Sequence, residues 1–204
     1  MQAARGTSVD NSDSGPADHR RTVLASRRAW TVFAVVAVVL YVTDQLSKRA
    51  AVEHLTGRDD IQVAGELLQL HLTRNPGAAF SLGTSFTFAL SCLAVAATVV
   101  VVVVSRKVVD RVWAVGLGAL LAGITGNLTD RMLREPGPFR GHVIDFLQLP
   151  NWPIFNVADI AINVGAGLIL LQVLRGIRID GTRLADDESD ATTPVEPGEA
   201  EDDA

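Results

Sequence analysis

The chain has 204 residues, 48% of them hydrophobic, a formal charge of −5 and a mean hydropathy of +0.26. Residues 180–204 hold ten acids against the single base Arg183, so the remainder is slightly basic, and no basic stripe interleaved with aromatics supports nucleic-acid binding. A single cysteine, Cys92, excludes an internal disulfide or a Cys-x-x-Cys site, and the four histidines lack metal-ligand spacing.

In chain order, residues 1–28 are polar and end in Arg20, Arg21, Arg27 and Arg28, which predicts a disordered tail with a basic membrane-flanking end. The apolar run that follows is long and lacks a small-residue cleavage site, which argues against a removable leader. Four apolar segments are then expected to cross a membrane: Ala29–Thr43, closed by Asp44; Phe86–Val104, 19 residues without a charge; Val112–Leu128; and Ile154–Leu174. About 20 apolar residues span the hydrocarbon as a helix, and lipid satisfies no backbone group, so each must be helical. Cys92 is expected to be a small buried hydrophobe within the second.

Between the spans, Arg49–Leu55 reads as a brief interfacial helix. Leu67–Thr73, followed by the Asn75-Pro76-Gly77 turn, reads as a short strand, and so does His142–Leu149, stopped by Pro150 and Pro153. The expected domains are a cytoplasmic tail (1–28), a four-span membrane domain (29–178) and an acidic, disordered cytoplasmic tail (179–204). Bases crowd the start of span one, the short link at Arg106, Lys107 and Arg111, and the end of span four, which places both termini in the cytoplasm.

The unusual polar residues gather at the opposite end of the bundle. Asp44 and Lys48 close span one, and Asn75–Ser81 precede span two. Asn127, Asp130 and Arg131 end span three, and Asn156, Asp159 and Asn163 open span four. The last three lie at i, i+3 and i+7 on one helix face. A carboxylate within the bilayer costs at least about 2.5–3.5 kcal/mol and normally faces a cavity, although such a stripe can also simply join helices. Asp145 sits between apolar neighbours fourteen residues before Asp159, and the Pro150–Pro153 segment can bring the two together; a lone surface aspartate is the alternative. Two adjacent carboxyls in an apolar setting share a proton, so that one activates water while the other polarises a carbonyl. Asp130 is expected to pair with Arg131 or Lys48, and Asn127 to orient a carboxylate.

Taken together, the segments Thr43-Asp44-Gln45-Leu46-Ser47-Lys48, Asn75-Pro76-Gly77-Ala78-Ala79-Phe80-Ser81, Gly126-Asn127-Leu128-Thr129-Asp130-Arg131, Val143-Ile144-Asp145-Phe146 and Phe155-Asn156-Val157-Ala158-Asp159 resemble the bacterial lipoprotein signal peptidases, in the family's order and over residues 27–178. The resemblance implies a membrane all-α fold: four transmembrane helices with a small extracytoplasmic β-cradle and a short interfacial helix. It also implies an aspartic endopeptidase of the plasma membrane, acting near the outer face as a monomer and blocked by globomycin. Its implied partners are membrane lipid and prolipoproteins, cut before a diacylglyceryl-cysteine. Asp145 and Asp159 would be catalytic, with Asp44, Lys48, Asn75, Gly77, Asn127, Asp130, Arg131, Asn156 and Ala158 shaping or supporting the site, and no metal or other cofactor is implied. A proton-coupled transporter would spread ionisable residues through the membrane depth, and presenilin-like proteases carry a Gly-x-Gly-Asp motif absent here. A structural assembly protein is the remaining rival.

Overall fold

The computed structural model describes residues 16–77 and 85–183. In chain order the elements are α1 (Pro16–Leu55), β1 (Ile61–Gln62), β2 (Gln69–Asn75), α2 (Ser85–Ser105), α3 (Arg111–Leu133), β3 (Val143–Gln148) and α4 (Val157–Leu174). Each of the four helices carries a stretch long and apolar enough to cross a membrane. Helix α3 is the hub, packing against the other three, and α1 also touches α4. Small residues let the backbones meet: a side chain at Gly126 would come within 2.5 Å of the Asp44 carboxylate, and one at Gly165 within 2.6 Å of the Gly116 carbonyl.

The strands form an antiparallel sheet in the order β1-β2-β3, with Thr73 opposite Asp145 and a bulge in β2 between Leu70 and Thr73. The sheet rests on the C-terminal end of α1, where Ala51 and Leu55 pack with Ile144 and Phe146. After β3 the chain turns back through Pro150–Pro153, and Leu147 pairs with Phe155, which delivers Asn156 to the start of α4.

Several expectations are corrected. Span one does not end at Asp44: Lys48, one turn on, neutralises the carboxylate at 2.9 Å, and good helix formers carry α1 unbroken to Leu55. Arg49–Leu55 is therefore helical, but as the end of α1 rather than a separate element. At the other end, residues 16–28 of the expected disordered tail are helical, with Pro16 suited to a first turn, and Ala29 and Phe33 join a core with Val101, Val108 and Leu117. Ile179 packs on that core, and its carbonyl accepts from the Val109 and Asp110 amides, so residues 179–183 belong to the fold and not to the acidic tail. Residues 1–15 and 184–204 lie outside the described residues, as do 78–84, which include the last four residues of the second motif. Cys92 is exposed on α2 rather than buried.

Candidate active site

Asn156 lies where the chain enters α4, and its position follows from capping. Its side-chain oxygen accepts from the Asp159 amide at 3.0 Å, while the Asp159 carboxylate accepts from the Asn156 amide at 3.1 Å. This reciprocal capping box satisfies two orphan helix donors and fixes Asp159 in the first turn. With its oxygen engaged, the Asn156 amide nitrogen is aimed at Asp145 Oδ1, 2.6 Å away, and at Asn127 Oδ1, 3.2 Å away.

Two further asparagines are aimed in the same way. Asn75 Oδ1 accepts from the Gly77 amide at 2.8 Å, so its nitrogen donates to Asp145 Oδ2 at 2.9 Å. Asn127 Oδ1 accepts from Lys48 Nζ at 2.9 Å, so its nitrogen donates to Asp159 Oδ1 at 2.9 Å. Each amide oxygen is held by a fixed donor, so each amide nitrogen must face a carboxylate. Aspartate could not do this work.

Lys48 is fully buried and anchors the layer beneath. Its ammonium lies 2.9 Å from Asp44 and 3.0 Å from Asp130, both almost wholly buried. Asp44 also accepts from the Ala158 amide at 2.9 Å, tying α1 to the start of α4, and from Gln45. Asp130 accepts from the Ile144 amide at 3.3 Å, tying α3 to β3, and from Arg134 Nε. A buried ion network is tolerable only when its members are satisfied, and this one is dense with partners.

The expected site residues thus converge. Asp145 and Asp159, with Asn75, Trp152, Ile160, Asn163 and Val164, line one cavity of about 480 Å³. Asn163 donates to the Asp159 carbonyl at 2.8 Å and reaches no carboxylate of the pair. Asp130 pairs with Lys48 and Arg134 rather than with its neighbour Arg131. Arg131 Nη1 is buried with no hydrogen-bond partner among the described residues. Gly77 must be glycine: its φ is +99°, and a Cβ would lie 2.8 Å from Leu90. Burial, and secondarily the nearby Asp159 charge, push the Asp145 carboxyl up to about 6, against the lowering effect of Asn75 and Asn156.

Gln45, Arg134 and Trp152 were not expected at or around the site. Gln45 fell inside a quoted motif, donating to Asp44 and to the Gly126 carbonyl. Arg134 carried the signal of an i+4 partner for Asp130. Trp152 carried none, since its place depends on the turn around it.

Comparison with known proteins points one way. The family model described as signal peptidase (SPase) II matches residues 36–175. A lipoprotein signal peptidase of Leifsonia xyli is 45% identical over 184 residues, covering 90% of this chain and 85% of that protein. One from Mycolicibacterium smegmatis is 40% identical over 165 residues, covering 81% and 70%. Among solved structures, a bacterial membrane enzyme determined in meso at 1.9 Å is 26% identical with a TM-score of 0.61, covering 70% of this chain and 92% of that one. Another, at 2.3 Å, is 27% identical with a TM-score of 0.57, covering 70% and 87%.

Proposed function

The chain belongs to the signal peptidase II family of membrane peptidases, which remove signal peptides from prolipoproteins, and we propose that it does so with Asp145 and Asp159 as an aspartic catalytic pair. The observation that carries this reading is Asn156, which donates to Asp145 while it caps and is capped by Asp159, so both carboxyls are held at one cavity. Deep burial puts the shared proton on Asp145. Asp159, half-buried, takes a proton from water as that water attacks the scissile carbonyl. Asp145 donates to the carbonyl oxygen, and the pair returns a proton to the leaving amine as the tetrahedral intermediate collapses.

Lys48, Asn127, Asn75 and Asn156 hold the pair in place, and Asp44, Asp130, Ala158 and Gly77 fix those holders. Arg131, with a buried nitrogen still able to donate, faces the site to receive a substrate oxygen. The exposed side chains of Ile160 and Val164 lie below the pair in the same cavity and offer an apolar surface to the acyl chains of a diacylglyceryl-cysteine.

Asp145→Asn and Asp159→Asn in the purified full chain are each expected to lower cleavage of a diacylglyceryl prolipoprotein by about 10³-fold or more, with unfolding temperature little changed. Cleavage within tenfold of the parent in either variant would rule out the pair.

The site faces the outer surface in this reading, with residues 1–28 and the acidic tail in the cytoplasm, because bases crowd the far end of the bundle. In a Cys92→Ser background, an impermeant maleimide on intact cells should label Asp60→Cys and spare Thr192→Cys. The reverse pattern would invert the topology.

A further inference from the structure

Four bases at the dyad-side ends of α1 and α3, Lys48, Arg49, Arg131 and Arg134, run against the bias that keeps Lys and Arg at the other end, so each needs a use. Lys48 is consumed by the ion network, Arg131 turns inward to the site, and Arg134 gives its Nε to Asp130. Arg49 is exposed and makes no ion pair among the described residues.

Arg49 and Arg134 line the same groove of about 510 Å³ between the outer ends of α1 and α3. This groove shares no lining residue with the dyad cavity. Its floor is closed where the Tyr41 hydroxyl meets Thr129 Oγ1 at 3.1 Å. Along α1 the lining residues Val42, Leu46, Arg49 and Glu53 fall at steps of three and four, on one helix face. That face passes from apolar to charged over roughly 16 Å at 1.5 Å per residue. Across from it, Leu133, 80% exposed, and then Arg134 repeat the same order. Both walls therefore change from apolar to cationic toward the C-terminal ends of α1 and α3.

We propose that this groove holds one glycerophospholipid from the leaflet on the dyad side, its phosphodiester between Arg49 and Arg134 and an acyl chain against Val42, Leu46 and Leu133. Two guanidiniums suit a phosphate with several acceptor oxygens, and an acyl chain on exposed leucines adds apolar burial. Glu53, at the polar end, favours a headgroup that donates, an ammonium or hydroxyl, over a bare phosphate monoester. A diacylglyceryl group without phosphate, such as a lipid-modified cysteine carries, would leave both arginines unanswered. The seat is thus chemically distinct from one for substrate lipid. A lipid held there also abuts Arg134, whose Nε fixes Asp130 and through it the lysine under the dyad.

Native mass spectrometry of the full chain in detergent can test this with three probes of identical acyl chains: dioleoyl phosphatidylglycerol, dioleoyl phosphatidylethanolamine and dioleoylglycerol. One molecule of either phospholipid should be retained, and dioleoylglycerol at least tenfold less. Arg49→Glu, at an exposed position, should lower phospholipid retention about tenfold by placing a repelling charge beside the phosphate. Leu133→Trp, which fills the groove without touching its charge, should lower it as well. Equal retention of dioleoylglycerol, or unchanged retention in both variants, would overturn the proposal.

Discussion

The two ends of the helix bundle are stabilised by different physics. At the end holding Ala29, Phe33, Val101, Val108, Ala114 and Leu117, helices meet mainly through apolar and small side chains, with neutral or single-charge polar contacts such as Gln172 to Asp110 at 2.8 Å and the Trp113 ring nitrogen to the Ile177 carbonyl at 2.9 Å. At the other end, Asp44, Lys48 and Asp130 are buried together, and asparagines lie between them and two more carboxyls. Apolar packing tolerates exchange of similar volumes, whereas a charged network fails when any partner is lost. The first end can drift in sequence without chemical consequence. The second specifies the orientation of every amide in it.

That contrast is tested most strongly by pairing Lys48→Met with Phe33→Leu. Removing the Lys48 ammonium leaves Asp44 and Asp130 buried without their shared counter-charge, at a cost of about 3–5 kcal/mol. It also leaves the Asn127 oxygen with only the longer 3.2 Å bond from the Asn156 amide nitrogen, so that amide is held less firmly against Asp159. Cleavage should fall by more than 100-fold. Phe33→Leu, in the apolar end, should cost about 1–2 kcal/mol and leave kcat and KM nearly as they were. Thermal unfolding and cleavage kinetics of both variants in the same detergent decide it. Equal losses of activity at the two ends would erase the distinction.

The two ends also differ in how far the sequence reveals them. A carboxylate or asparagine within an apolar run is conspicuous because its burial is expensive, so the gathering of Asp44, Asn127, Asp159 and their neighbours at one end could be seen from segment order alone. The turn through Pro150–Pro153 that returns Phe155 to Leu147 was likewise visible in its prolines. Helix limits were not, because Asp44 looks like a stop until Lys48 is seen to cancel it across one turn. The pairing of asparagine nitrogens with carboxylates was hidden as well, since it depends on which donor occupies each amide oxygen. Cys92 shows the limit at the level of one side chain: in a helix wetted by lipid, an apolar residue has no reason to point inward, and composition cannot say which way it faces.

A finer test concerns the charge of the site rather than its architecture. Burial lifts the Asp145 carboxyl from its ordinary 3.8 to about 6. Between those values the folded chain holds a proton that the unfolded chain has released. The group's contribution to stability is therefore greatest below about pH 4 and is lost as pH rises through 6. If Asp145 and Asp159 work as the proposed pair, the same titration removes their shared proton, so kcat/KM should fall about tenfold per unit above roughly pH 6 as one group ionises. Substrate lying over the cavity excludes more water and disfavours the second charge further, which moves the matching limb of kcat to higher pH. In contrast, Gln172→Leu, at the other end of the bundle, should leave both limbs where they are. Full pH profiles of kcat and kcat/KM for the parent and this variant provide the measurement. A kcat/KM flat from pH 5 to 8 would show that Asp145 does not carry the working proton.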